Sequence, residues 1–176
     1  MFNLKEYEKD FISNHLLEFN LDSLKYSLNE MKMLDSLDYA RVFQEEFHYS
    51  SYDVNPYYFY SIQSNNKEFS SITILHYKES LFTELILVNH NSNGLKVSDK
   101  TVSISGGDGE WYFGSNTKYL DSLNLESNYL ESSLIEESDS VETWTIFKKK
   151  ELIEISHMGK ITTQSIDSTR EEINYR

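Results

Sequence analysis

The chain has no cysteine. Disulfides, thiolate zinc sites and cysteine nucleophiles are thereby excluded, and the redox compartment stays open. Alanine is almost missing too, with Ala40 the sole example. Few alanines, set against many aromatic, β-branched, Ser and Asn residues, favour strands and turns over long helices. Cations are scarce: 16 Lys and Arg face 29 Asp and Glu, for a net charge of -13. A nucleic-acid or anionic-membrane partner needs a basic footprint, so this balance argues against both. No apolar run approaches the roughly 20 residues of a membrane span. The stretch Met1 to Asp10 is charged and lacks the apolar centre of a secretory signal. Read from Met1, the expected location is the cytoplasm; export or lipid anchoring stays open if a signal was trimmed from before Met1.

What is present points to an α+β fold: a helical N-terminal segment followed by an antiparallel β-meander. A chain of 176 residues suits one domain, 1–176, divided into a helical region 1–55, a meander 56–165 and a polar tail 166–176. Leu4, Tyr7, Phe11 and Ile12 fall at helical spacing, as do Leu24, Leu28, Met31, Leu34 and Leu37, then Tyr39, Val42, Phe43 and Phe47. Asp22 or Ser23 could cap the middle run, and Asp35 or Ser36 the last. Pro56 is the only proline, and the residue before a proline is pushed toward extended geometry. It marks the switch from helix to sheet.

From Tyr57 the period becomes two. Strands are expected over Tyr57–Ile62, Phe69–Tyr77 and Leu81–Val88, with turns at Asn65-Asn66-Lys67 and Lys78-Glu79-Ser80. Leu85 to Val88 is apolar on both faces, which predicts a central strand. Two short pieces, Lys96–Ser98 and Thr101–Ser105, lead to the glycine turn Gly106 to Gly109, and Glu110–Phe113 returns. Asn128–Glu136 and Val141–Phe147 follow around Ser138-Asp139-Ser140. A turn is expected at Lys148 to Lys150, and a last hairpin pairs Leu152–Ser156 with Lys160–Thr163. Regular hairpins without intervening helices make a meander.

Chemistry-bearing motifs are thin. Gly106-Gly107-Asp108-Gly109-Glu110-Trp111 invites comparison with the GGDEF signature of cyclic-dinucleotide synthases, but Gly109 stands where an acid is needed and Trp111 where Phe is. A calcium loop on Asp108 and Glu110 lacks the six or more oxygens such an ion takes. A tight turn needing positive φ explains the string better. His15, His48, His76, His90 and His157 show no metal-ligand spacing, no serine lies in G-x-S-x-G, and no phosphate-cradling G-x-x-x-x-G-K occurs. No cofactor or metal is called for. Trp111 and Trp144 are expected in the core, with Tyr112 and Tyr129 nearby.

The most unusual feature is acidic. Asp121, Glu126, Glu131, Glu136, Glu137, Asp139 and Glu142 run from 121 to 147 without a Lys or Arg among them. Such a block can steer a basic partner, or it can be a solvated hairpin whose acids discourage edge pairing.

The strings Leu85-Ile86-Leu87-Val88, Asn93-Gly94-Leu95-Lys96-Val97-Ser98-Asp99 and Ile104 to Gly109, with Gly159-Lys160-Ile161 later, resemble uncharacterised exported bacterial β-meander proteins, many of them lipid-anchored. The resemblance covers about half the chain and rests on turn chemistry. It implies fold and export, not activity. The expected function is a non-enzymatic acidic binding protein, an immunity- or inhibitor-type partner of a basic toxin or nuclease, with the seven acids as contact residues. The alternatives are an exported β-meander protein of structural role, and an enzyme with a site assembled across strands from Asp108, Glu110 and a histidine.

Overall fold

A computed structural model describes residues 1–21, 27–46, 55–78, 82–138 and 141–175, with the backbone alone for 136–138. Two short strands of the sheet precede Pro56, so it marks the start of the meander and not of the sheet. Behind it, eight antiparallel strands follow one another as sheet neighbours. They are β3 (Tyr57–Asn65), β4 (Phe69–Lys78), β5 (Phe82–Asn91), β6 (Lys96–Gly107), β7 (Trp111–Tyr119), β8 (Asn124–Ser138), β9 (Val141–Ile155) and β10 (Ile161–Tyr175). Two short strands from the N-terminal region join them. β1 (Ser13–Asn14) runs parallel to β3, and β2 (Glu18–Phe19) pairs with β7. The whole is one domain built on a single, mostly antiparallel sheet.

The turns explain the abundance of Asn, Asp and Ser. Five of the connections are clamped by a side-chain oxygen that accepts backbone N–H groups just downstream: Asn66, Asn91, Asp108, Asp121 and Ser156. Short polar side chains mimic a backbone turn this way. The Gly106–Gly109 string forms the β6–β7 connection, with Gly107 at φ 148° and Gly109 at φ 102°. The β4–β5 turn (79–81) and the expected Asp139 turn lie outside the described residues.

Two apolar clusters flank the sheet. One joins Tyr60, Leu75, Leu85, Leu87, Val102, Leu125, Ile153 and Ile155 with Phe19 and Met31. The other joins Phe59, Ile72, Ile74 and Val88 with Phe2, Leu4, Tyr7, Leu34, Val42 and Phe43. β5 is therefore central, as its double-sided apolar run requires: Leu85 and Leu87 serve the first cluster and Val88 the second. The β9–β10 turn folds back onto β5 and β6. There the Gly159 carbonyl accepts from Asn89 Nδ2 (2.8 Å) and Ser98 Oγ (2.7 Å), and Gly159 sits against the Phe69 ring.

The helical region 1–55 is largely corrected. Its described helices are α1 (Leu4–Tyr7) and α2 (Ser36–Phe43), with single 3₁₀ turns at Glu8–Asp10 and Leu28–Glu30. The reason is visible in the packing. Leu4, Tyr7 and Phe11 serve one cluster and Ile12 and Leu16 the other, so the apolar spacing does not mark one helical stripe. Met31 and Leu34 divide in the same way. The proposed caps Asp22 and Ser23, with Leu24 and Phe47, lie outside the described residues. Asp35 does cap α2, its carboxylate accepting from Leu37 and Asp38 N–H at 2.8 Å each. Asp35→Ala should cost about 1 kcal/mol in urea unfolding, whereas Asp35→Asn should retain most of that stability.

Three more expectations change. Lys148 to Lys150 is no turn but the middle of β9, because each lysine meets an acid on its own strand or a neighbouring one. Lys96–Ser98 and Thr101–Ser105 merge into β6, with register shifts against β5. The polar tail 166–176 is not a tail through Tyr175: it completes β10, whose polarity reflects two open faces rather than disorder.

Candidate interaction surface

Burial in the last three strands stops partway along. Leu125, Ser127, Ile153 and Ile155 are buried, but no described residue of 129–135, 141–152 or 161–175 is. Beyond Ser127 and Ile153 the described residues of the β8–β9–β10 ribbon form no buried layer on either face. The end of this ribbon nearest the β8–β9 connection is here called distal.

The acidic block divides along this ribbon. Asp121 clamps the β7–β8 turn; the Leu123 N–H and the Asn124 side chain hold its carboxyl below the ordinary range. Glu126 is answered by Lys150 at 2.8 Å and Lys118 at 3.5 Å, and the Lys150 bond holds its carboxyl low. Neighbouring strands thus supply the cations that the block itself lacks. Glu151 repeats the arrangement: burial pushes its carboxyl up, but Lys149 (2.6 Å) and Lys100 (3.5 Å) together hold it below the usual value.

At the distal end the acids meet aromatics instead. Glu131 accepts from the Trp111 indole (3.2 Å) and the Tyr129 hydroxyl (3.0 Å). Burial, then this bond to Glu131, pushes the Tyr129 phenol up to about 12. Glu142 accepts from the Trp144 indole at 3.1 Å. The register sets Glu136 across from Thr143, and Glu137 directly across from Glu142. Like charges at directly opposed positions are unfavourable. Asp139 lies outside the described residues. The register therefore brings Glu136, Glu137 and Glu142 together at the distal end, with Glu131 midway along β8 between them and Glu126. Ten residues at about 3.3 Å each put Glu136 roughly 30 Å along β8 from Glu126.

Neither tryptophan is in the core, contrary to expectation. Trp111 is 41% exposed and stacks on Phe113 at 4.4 Å; Trp144 is half-buried in a cross-strand row with Leu134 and Ile173. Both lie where the sheet has no second layer to cover them. Tyr112, Ile135 and Tyr175 are exposed at the same end. Clusters of exposed aromatic and apolar side chains beside charge are the usual composition of a contact surface. Sequence reasoning missed Tyr175 and Ile173, because nothing in residues 161–175 alternates like a buried strand.

Other places with chemical potential are already engaged. Asp108 accepts from Glu110 and Trp111 N–H in its turn. A cavity of about 430 Å³ touches Lys148, Lys149 and Lys150, yet each ammonium is paired with Glu171, Glu151 or Glu126. His76 Nδ1 lies 3.0 Å from Glu84, which also accepts from Thr101 (2.6 Å), and Tyr57 stacks on the imidazole at 4.1 Å. This is a buried polar tie between β4, β5 and β6. Among the described residues no group of three or more His, Asp or Glu side chains could hold a metal ion. Among them, too, no helix is long and apolar enough to cross a membrane.

No protein-family model, curated protein or solved structure matches the chain.

Proposed function

We propose that the chain is a non-enzymatic binding protein that engages a basic protein through the distal end of β7–β10, in the manner of an immunity- or inhibitor-type partner. The observation that carries the reading is the coincidence of exposed Trp111 and Tyr112 with an acidic end where Glu137 opposes Glu142. Opposed carboxylates cost stability, and a cationic surface arriving over them relieves that cost. The aromatic groups supply area that needs little ordering.

The expected result is specific. The immobilised chain retains a basic protein from lysate of its source, and Glu137→Lys with Glu142→Lys weakens that capture at least tenfold. Retention by the unaltered chain falls when salt rises from about 50 mM to about 500 mM, because rim charges are screened. Capture indifferent to both changes would show that charge does not carry recognition. The urea midpoint of the single variant Glu137→Lys should not fall, since it turns the opposition into an opposite-charge pair and leaves the Trp144–Glu142 bond in place.

A further inference from the structure

The two edges of the sheet are treated differently. On the β3 side, the N-terminal region covers the edge. Ser13 and Asn14 pair with Ser61 and Ile62, Ile12 N–H bonds the Tyr60 carbonyl, and His15 N–H bonds that of Ile62. Further along, Met33 bridges to Tyr58, Leu34 N–H bonds the Tyr57 carbonyl, and Phe59 N–H bonds that of Lys32. On the other side, β10 pairs with β9 along Ile161–Tyr175 and, among the described residues, has no strand on its outer flank. Its side chains are exposed almost throughout.

A long bare edge is a template for another strand, and proteins ordinarily blunt it with lysines, prolines or bulges. β10 has one bulge, between Ser165 and Asp167, and then runs in unbroken register with β9 from Asp167 to Tyr175. Within those nine positions there is no lysine or proline. The charges are Asp167, Glu171 and Glu172 against Arg170. Glu171 is tied to Lys148 at 2.7 Å, and Tyr175 lies across from Glu142 in the acidic end.

We infer that β10 from Asp167 to Tyr175 is a docking edge that takes an extended, lysine- or arginine-bearing segment of a partner as an additional strand. This rests on the binding reading above and gives it a mode. Backbone hydrogen bonds supply affinity, and side chains at alternate positions of the incoming strand meet the acids. Charge selects the occupant. A second copy would bring the same acid-rich edge, with Asp167, Glu171 and Glu172 against the single Arg170, and a net charge of -13 on each chain. A basic segment meets the same edge with the opposite sign.

The test uses three nine-residue peptides and the full chain, followed by amide NMR and hydrogen exchange. The first alternates Thr and Lys. The second is identical but N-methylated at alternate residues, so that one of its edges cannot donate. The third alternates Thr and Glu. Strand addition predicts that the Lys peptide slows exchange at alternate amides within Asp167–Tyr175. The N-methylated peptide should bind at least tenfold more weakly, and the Glu peptide should give no protection. Equal binding of the Lys peptide and its N-methylated form, sensitive to Glu137→Lys and Glu142→Lys, would overturn strand addition while leaving the acidic contact surface intact. If neither perturbed any resonance, both readings would fall. Protection by the Glu peptide as strong as by the Lys peptide would remove charge as the selector. Protection of β10 that rises with protein concentration and no peptide would assign the edge to a second copy instead.

Discussion

Acidification from pH 7 to pH 4 should cost the protein about 3 kcal/mol through His90 alone. The ring is fully buried beneath the N-terminal segment, stacked on Phe2 at 4.5 Å, and its Nε2 donates to the Val42 carbonyl at 2.7 Å. That bond fixes the neutral tautomer with hydrogen on Nε2. Nδ1 is buried without a hydrogen-bond partner among the described residues. A second proton would have to sit there, dry and unpaired. Burial therefore pulls the imidazole down to about 4; the Val42 bond opposes this, and the charges of Lys96 and the N-terminal amine add to it. Folding thus favours the neutral form. The stabilisation is complete above the unfolded value near 6.5 and is lost as pH falls from there through about 4. Many carboxylates titrate over the lower part of this range, so the contribution is read by difference. His90→Gln keeps an N–H for Val42 and cannot titrate. Urea unfolding at half-unit pH steps should show the unaltered chain losing about 3 kcal/mol more than the variant between pH 7 and pH 4. Parallel curves would mean that His90 is not held neutral by the fold. The structural consequence is local: Phe2, whose N–H bonds the Gly94 carbonyl, should be released first, taking the α1 contacts with it.

What the amino-acid order made legible is local chemistry. The glycine string at 106–109, the Asp35 cap and the double-sided run Leu85 to Val88 each state their structure within a few residues, and each is found as read; Pro56 opens the meander, but two short strands of the sheet lie ahead of it. What was not legible depends on partners far along the chain. Leu4 to Ile12 has helical spacing, but the helix is short, and Leu4, Tyr7 and Phe11 serve one cluster while Ile12 turns to the other. Lys148-Lys149-Lys150 looks like a turn until Glu126, Glu151 and Glu171 are beside it. The candidate surface follows the same rule. The density of acids from Asp121 to Glu142 was plain. Its division was not, since the cations that neutralise Glu126 lie on β7 and β9, and the aromatics that hold Glu131 and Glu142 were expected inside. An uncovered ribbon and a covered one alternate alike; only the location of a second layer distinguishes them.

That distinction has a measurable consequence within one strand. Ile153 and Ile146 are both isoleucines of β9, and both sit in regular register between β8 and β10. Ile153 is fully buried in the cluster with Leu125, Leu85 and Phe19. Truncating it to alanine removes about three methylenes' worth of contact and leaves a cavity that rigid neighbours cannot close, so Ile153→Ala should cost about 2–5 kcal/mol. Ile146 is half-buried on the ribbon, between Ser132 and Glu171, and borders no sealed space. Its truncation leaves a dent that water fills, and Ile146→Ala should cost under about 1 kcal/mol. Urea midpoints of the two variants at neutral pH compare them directly. Costs of equal size would mean that the distal ribbon has a packed layer over it. Hydrogen exchange carries the same contrast without mutation. Amides of 151–155 should exchange only through global unfolding. Those of 141–147 should open locally at much lower free energy, because the ladder there is backed by surface ion pairs such as Lys148–Glu171 and not by a core. On the proposed binding reading, such a ribbon gives up its exposed aromatic surface to a partner at little cost to the fold that carries it.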